Sequence, residues 1–289
     1  MMREIRALAA ATVLAAASLA AAQDPQALPR MVATERAFAA ATGEIGVRDA
    51  FLVFFADDAV RIEAGATGAD TVLHDAAENF RKQPLQPLPL EARLTWSPHT
   101  GQISSDGTLG WLTGPYVVTN LADRSVLGQG AYFTVWKRQD DGTFRVWLDE
   151  GVALAEAWGD ASEFVAAPVP SGGTGGAAAE TAAEVEAAVA AGGGAWHARW
   201  SDAVRVHRHQ RMPIVGRSAA GAWAGIVWPE VSFHVARLEV AASDDLAVAI
   251  GGYEAKTAGG SEHGTWVRVW TRDASGLWRI VFETSKAAT

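Results

Sequence analysis

Histidines in the second half of the chain are the first residues whose spacing could do chemistry. His207 and His209 lie two residues apart in a strand-like segment, so both rings would point to one face, as two metal ligands can. His234 would be the third ligand that a defined geometry requires. A half-exposed strand with Val204 and Val206 turned inward explains the same pattern without a metal. We therefore expect no metal and no other cofactor.

Other catalytic motifs are incomplete or missing from the sequence. Residues 216–221 resemble the turn that carries a nucleophilic serine, but they contain one residue too many for G-x-S-x-G. The sequence has no H-E-x-x-H motif and no phosphate-binding loop. It also contains no cysteine, which excludes thiol chemistry and disulfides.

The strands that would position a site occur in two similar copies in the sequence. Residues 130–150 read as two strands around a turn at Gly142, and a similar stretch returns without a gap at 264–284. Two more blocks recur in the same order, namely 58–62 with 202–206 and 109–116 with 246–253. Because three blocks keep their order, we infer that one domain is present in two copies.

Within the first copy, helices precede strands. Apolar spacing predicts helices over 31–41 and 72–80 and another from Val47 to Phe55, with Gly43 as a helix stop. Alternation predicts strands over 91–104, 109–119, 130–139 and 144–153. Helices followed by an antiparallel meander indicate an α+β domain.

Composition divides the chain into four segments: a signal peptide over 1–22, a first domain over 24–158, a linker over 159–176 and a second domain over 177–289. The first segment has a positively charged start, a short apolar run and a small-residue cleavage site, which predicts a cleaved signal and a periplasmic or secreted protein. The net charge of −9, without a basic cluster, argues against nucleic acid or anionic membranes as partners. No apolar run is long enough for membrane insertion.

On these elements the chain resembles the nuclear transport factor 2-like superfamily, and most closely its SnoaL-like and ketosteroid-isomerase-like members. The first copy carries the resemblance at Asp57-Asp58-Ala-Val, Gly114-Pro-Tyr116, Trp136-Lys-Arg138 and Gly142-Thr-Phe-Arg145, and the second at the matching places. The resemblance implies two cystatin-like cones, each with helices packed on a strongly curved antiparallel sheet around a pocket. Members of the superfamily use that pocket for different reactions or for binding, so the fold does not fix the function.

The resemblance also implies where chemistry would lie. A carboxylate base in an apolar cavity would act beside a tyrosine that holds a developing oxyanion, as in ketosteroid isomerase. The candidates for catalysis in the first copy are Asp149, Tyr116, Asp58 and His74, the last expected on a helix at the pocket mouth. Alternation predicts Phe144, Val146 and Leu148 on one sheet face and Arg145, Trp147 and Asp149 on the other.

Two functions remain open at this point. The first is an exported module that binds an apolar or aromatic small molecule, with the two copies packed as an internal pseudo-dimer or the chain as a homodimer. Its candidate ligand contacts are Trp111, Tyr132 and Trp136 in the first copy and Tyr253, Glu254 and Trp270 in the second. The alternative is an isomerase, dehydratase or hydrolase working only in the first copy, where Tyr132, Trp147 and Glu150 have no counterpart in the second.

Overall fold

The computed structural model describes residues 24–86, 89–159, 163–167, 180–191, 196–228 and 230–288. These residues form two sheets, one of eight strands and one of six, and each sheet carries helices on one face. The predicted α+β fold with two domains is confirmed. Each sheet is mixed rather than purely antiparallel, because its first strand runs parallel to its last long strand.

The first domain begins with two helices and ends with a meander of long strands. Its helices are α1 (Ala27–Ile45), α2 (Val47–Phe54) and α3 (Ala76–Arg81). Its strands are β1 (Phe55–Glu63), β2 (Val72–Asp75), β3 (Ala92–Trp96), β4 (Thr100–Ile103), β5 (Leu109–Asn120), β6 (Val126–Arg138), β7 (Phe144–Ala153) and β8 (Val165–Ala166). The sheet order is β2-β1-β7-β6-β5-β4-β8, and β3 also pairs with β5.

The second domain repeats this plan with fewer elements. Its helices are α4 (Ala182–Ala191) and α5 (Arg217–Val227). Its strands are β9 (Trp200–Arg208), β10 (Arg211–Val215), β11 (Glu230–Val240), β12 (Leu246–Thr257), β13 (Gly260–Arg272) and β14 (Trp278–Ala287), in the order β10-β9-β14-β13-β12-β11. No helix among the described residues combines the length and the hydropathy needed to cross a membrane.

Several predicted boundaries were wrong for local reasons. Gly43 does not end α1, which continues until Gly46 takes a positive φ of 84° that favours glycine. The predicted helix over 72–80 is a short strand followed by α3, which Asp75 caps through the backbone N–H of Glu78. The predicted signal segment and most of the linker lie outside the described residues, but β8, inside the predicted linker, pairs with β4.

The two sheets pack against each other through the faces that do not carry helices. Leu109, Trp111, Phe133 and Leu148 of the first sheet meet Leu246, Val248, Ile250, Val267, Val269 and Phe282 of the second in one buried cluster. The Phe133 and Phe282 rings stack with centroids 4.2 Å apart. Both faces of each sheet are therefore largely buried, one against helices and one against the other sheet.

Two turns at the edge of this contact exchange hydrogen bonds. The carboxylate of Asp106 accepts the backbone N–H of Ser243 at 2.9 Å. The carboxylate of Asp245 accepts the backbone N–H of Ser105 at 3.0 Å. Each turn thus satisfies a donor of the other, which fixes the relative position of the two sheets.

We expect Phe282→Ala to lower the free energy of unfolding by about 3–5 kcal/mol, because it empties a fully buried site between the sheets. Urea denaturation should show one transition for the wild type, since the two domains share this core. The control is Leu277→Ala, because Leu277 precedes the same strand but is 43% exposed. A loss no larger than that of the control would contradict the shared core.

Candidate functional site

A β-bulge decides which side of the first sheet Asp149 faces. Val135 pairs with Leu148 but Trp136 pairs with Val146, so Trp147 is an extra residue in β7. The predicted alternation is therefore wrong beyond this point, and Leu148 lies between the sheets. Asp149 instead shares the helix-facing side with Phe144 and Val146 and reaches the interior of the domain.

This interior contains a cavity of about 200 Å³, which we call the first-domain cavity. Its lining combines aromatic and apolar side chains with two neighbouring acids on β7, Asp149 and Glu150. The lining residues are Phe51, Leu94, Trp96, Tyr116, Tyr132, Asp149, Glu150 and Gly151. The volume is below the roughly 300–1,000 Å³ typical of sites for drug-sized ligands. The cavity therefore fits a small molecule with an apolar or aromatic body.

Burial raises the pKa of two groups at the wall of this cavity, Asp149 and Tyr132. Burial, and secondarily the nearby Glu35, raises the pKa of Asp149 well above its usual range, although the Thr134 hydroxyl donates a hydrogen bond to it at 2.9 Å. Burial likewise raises the pKa of Tyr132 well above its usual value. The Tyr132 hydroxyl has no hydrogen-bond partner among the described residues, although the residue is only 6% exposed. An unsatisfied hydroxyl of this kind can bind a ligand atom.

Glu35 connects helix α1 to the cavity wall. Its carboxylate accepts the indole N–H of Trp96 at 2.5 Å and that of Trp136 at 2.8 Å. Burial raises the pKa of Glu35 to about 7, and the two indole hydrogen bonds oppose that rise. Glu35 thereby fixes the ring of Trp96, which lines the cavity.

The second domain has the same carboxylates but pairs them with arginines. Glu186 of α4 accepts the indole N–H of Trp270 at 2.6 Å, as Glu35 does for Trp136. Arg268 lies between Glu186, at 2.6 Å, and Glu283, at 3.1 Å. Glu283 also accepts a hydrogen bond from Arg208 at 2.6 Å. These four buried charges balance, whereas the lining of the first-domain cavity carries acids without a basic side chain.

The structure brings together only some of the predicted catalytic residues. Asp149 and Tyr116 line the first-domain cavity. Asp58 lies outside it on β1 and forms an ion pair with Lys137 at 2.9 Å. His74 is on the edge strand β2, not on a helix, and its side chain is 42% exposed, 3.5 Å from Glu63. Asp58 and His74 are thus too exposed and too far removed to act in this cavity.

The predicted ligand contacts also divide by location. Tyr132 lines the cavity, whereas Trp136 is fully buried behind it. Trp111 faces the other sheet, with its ring centroid 5.3 Å from that of Phe282, so it cannot contact a ligand in the cavity. In the second domain, Tyr253 donates its hydroxyl to Glu262 at 2.6 Å and Trp270 bonds to Glu186, while Glu254 accepts the backbone N–H of Gly68 at 3.2 Å.

The two histidines considered for metal binding lie in different environments, one buried and one exposed. His207 is buried against Phe282 and Trp158, with ring centroids 4.8 Å and 5.6 Å away. His209 lies in the turn after β9 and is exposed. Within the described ranges, no group of three or more histidine, aspartate or glutamate side chains has an arrangement that could hold a metal.

Sequence reasoning missed Glu35 and Trp96. A signal for Glu35 was present, because Met31, Glu35, Phe38 and Thr42 follow helical spacing on one buried stripe of α1. An acid within such a stripe must find buried hydrogen-bond donors. The partner indoles lie far away in the sequence, so their identity follows only from the fold.

No family model matches the sequence, and no curated protein shows significant similarity to it. Solved structures similar to this chain include an NTF2-like protein of unknown function from Shewanella oneidensis, with 13% identity, a TM-score of 0.30 and coverage of 36% of this chain and 93% of that one. An NTF2-like protein of unknown function from Pseudomonas putida has 21% identity, a TM-score of 0.29 and coverage of 38% and 90%.

A third similar structure is a Mycobacterium tuberculosis protein in complex with estradiol-17β-hemisuccinate, with 18% identity, a TM-score of 0.26 and coverage of 35% and 82%. Each comparison covers about a third of this chain. The solved structures similar to this chain thus include NTF2-like proteins, the class that its sequence motifs resemble.

We expect Asp149→Asn to become more stable than the wild type as the pH rises. The unfolded carboxyl has an ordinary pKa of 3.8, and the folded one is raised, so the folded wild type loses stability as pH rises through that window. Asparagine stays neutral, and the difference should exceed about 1 kcal/mol by pH 8. Urea denaturation from pH 4 to pH 8 measures it.

The control for this measurement is Asp202→Asn, which makes the same substitution at a side chain that is 96% exposed. An Asp149→Asn variant that is less stable than the wild type at pH 8 would show that the buried carboxyl is ionised and paired.

Proposed function

We propose that this protein binds a small molecule with an apolar or aromatic body in the first-domain cavity. The observation that carries the proposal is the cavity itself, where aromatic walls meet two acids and the unpaired Tyr132 hydroxyl. A mostly apolar pocket with a few convergent polar groups is the usual form of a small-molecule site. In the second domain Glu283, which corresponds to Asp149, is paired with Arg208 and Arg268, so we assign binding to the first domain alone.

A screen of the protein against a metabolite library by thermal shift tests this proposal, because a bound ligand stabilises the folded state by mass action. Gly151→Leu should abolish the shift of every true ligand. Gly151 lines the cavity, and a Cβ there meets only ordinary contacts at 3.5 Å and 3.6 Å, so the added side chain can enter the cavity without backbone strain.

The matched control is Gly225→Leu, since Gly225 lies on the exposed face of α5 with open space around it. This variant should keep every shift. Ligand shifts that persist in Gly151→Leu would place the binding site elsewhere and would refute the assignment to the first-domain cavity.

Acid–base catalysis in the same cavity is a second candidate function, and the pairing of Asp149 with Tyr132 favours it. The Asp149 carboxylate would take a proton from a carbon next to a carbonyl group and return it to another carbon, while the Tyr132 hydroxyl donates a hydrogen bond to the enolate oxygen. The net reaction is an isomerisation that needs no co-reactant. The raised pKa of Asp149 suits the return of the proton.

We expect any carbonyl ligand found in the screen to exchange its acidic C–H for deuterium in D2O, followed by NMR. Asp149→Asn should abolish the enzyme-dependent exchange, and Tyr132→Phe should slow it by roughly 100-fold, as the loss of one oxyanion donor does. Binding without exchange for every carbonyl ligand would leave a binding protein and remove the catalytic candidate.

We further propose that the protein is exported to the periplasm or beyond. The support is the arrangement of the first residues, where Arg3 and Arg6 precede an apolar run that ends in small residues at 20–22. Sequencing the N-terminus of the protein recovered from a periplasmic fraction tests this; a mature chain should begin near Gln23.

A further inference from the structure

The two domains can be compared position by position around the first-domain cavity. Tyr116 pairs with Trp96 and with Gly130 in the first sheet, and Tyr253 pairs with Phe233 and with Gly264 in the second. The hairpin β6–β7 and the hairpin β13–β14 have the same register and the same bulge, so residues at matching places can be equated. The equivalent pairs are Tyr132 with Trp266, Thr134 with Arg268, Trp136 with Trp270 and Asp149 with Glu283. The indole hydrogen bonds equate Glu35 with Glu186.

In the second domain a guanidinium group occupies the centre of this arrangement. The Arg268 guanidinium lies 4.5 Å from the ring centroids of both Phe233 and Trp266. Its nitrogen atoms lie 2.6 Å from Glu186 and 3.1 Å from Glu283. It is therefore enclosed by aromatic faces and carboxylates, which together form a favourable environment for a cation.

The first domain has groups at the corresponding positions, and no cationic side chain among the described residues lines the cavity beside them. Trp96 and Tyr132 replace the two aromatic rings. Asp149, in the lining, and Glu35, which lies outside the lining and accepts the indole N–H of Trp96, replace the two acids. Thr134, however, stands where the second domain has Arg268, and its short side chain reaches only Asp149. The lining of the cavity contains no lysine, arginine or histidine.

Basic side chains near this cavity act from outside its lining. Arg61 and Lys286 favour the charged form of Glu150, and Arg36 acts on Tyr132. None of the three lines the cavity. The acids at the cavity wall therefore lack the close arginine contacts that balance Glu186 and Glu283.

We propose that the ligand of the first-domain cavity is a small organic cation, of the guanidinium or substituted ammonium class, whose charged head takes the position that the Arg268 guanidinium holds in the second domain. This inference rests on the proposed binding function and specifies the class of ligand. The aromatic rings of Phe51, Trp96, Tyr116 and Tyr132 accommodate its cationic head and apolar body. The unpaired Tyr132 hydroxyl accepts a hydrogen bond from one of its N–H groups.

The same arrangement disfavours anionic and neutral ligands on physical grounds. An anion would meet Asp149 and Glu150 without a basic partner in the lining, and like charges at close range repel strongly in a buried site. A neutral ligand of the same shape would leave the carboxylates without the countercharge that Arg268 supplies in the other domain. Charge should therefore discriminate among ligands of equal shape.

Calorimetric titration of the full chain at pH 8 with three probes tests this inference. The probes are benzylguanidinium, its neutral isostere benzylurea, and the anion 3-phenylpropanoate. We expect one benzylguanidinium to bind per chain, and we expect benzylurea and the anion to bind at least about tenfold more weakly, because neither carries the positive charge that pairs with the carboxylates.

Thr134→Arg transfers the internal cation of the second domain into the first. We expect it to abolish benzylguanidinium binding, because the new guanidinium takes the same position between Glu35 and Asp149. The matched control is Thr143→Arg, which adds an equal charge at an exposed turn of the same domain and should leave binding unchanged. Asp149→Asn provides a second variant of nearly unchanged size, and it should weaken benzylguanidinium binding at least about tenfold while leaving benzylurea unaffected.

Three results would overturn the inference. If benzylurea or 3-phenylpropanoate binds as tightly as benzylguanidinium in a manner that Gly151→Leu blocks, the cavity binds small molecules but does not select cations, and the proposed binding function stands. If no probe binds, or if benzylguanidinium binding survives in Asp149→Asn and in a folded Thr134→Arg, the cationic class is wrong. The library screen then decides the proposed function separately.

Discussion

A buried glutamate that accepts the indole N–H of a strand tryptophan holds each domain together. Glu35 does this for Trp136, and Glu186 does it for Trp270. A hydrogen bond to a charged group typically contributes about 1.5–3 kcal/mol, whereas a buried carboxylate without partners is strongly destabilising. Each helix must therefore sit where its glutamate meets the indole, and this requirement fixes the helix on the sheet and the shape of the space beneath it.

The second constraint is that both faces of each sheet are buried. One face packs on helices and the other on the opposite sheet, where the Phe133 and Phe282 rings stack. A β-bulge in each final hairpin lets consecutive segments of one strand serve these two cores. Beyond the bulge, Leu148 turns toward the other sheet and Asp149 turns toward the cavity. The position of the candidate site is thus a consequence of how the domains pack.

One substitution between the copies separates a filled interior from an open one. Arg268 neutralises two buried acids in the second domain, and Thr134 at the equivalent position leaves an aromatic cavity with acids at its wall. The second domain therefore has the same fold with its buried charges paired internally. It also covers the face of the first sheet that does not carry helices. Duplication followed by change at a few inward positions explains why the copies share turns and core residues more closely than cavity residues.

The sequence by itself determined the α+β class and the two domains, because repeats, turn glycines and apolar periodicity are local or self-similar signals. It also singled out Asp149, which the structure places in the cavity lining. It misplaced the alternation beyond Val146, since one bulge residue reverses the face of every later side chain in β7. It also misplaced Trp111, which faces the other sheet rather than the cavity. It also gave no reason to connect Glu35 with Trp96, or Thr134 with Arg268. Those relations depend on contacts between distant segments, which only the tertiary structure decided.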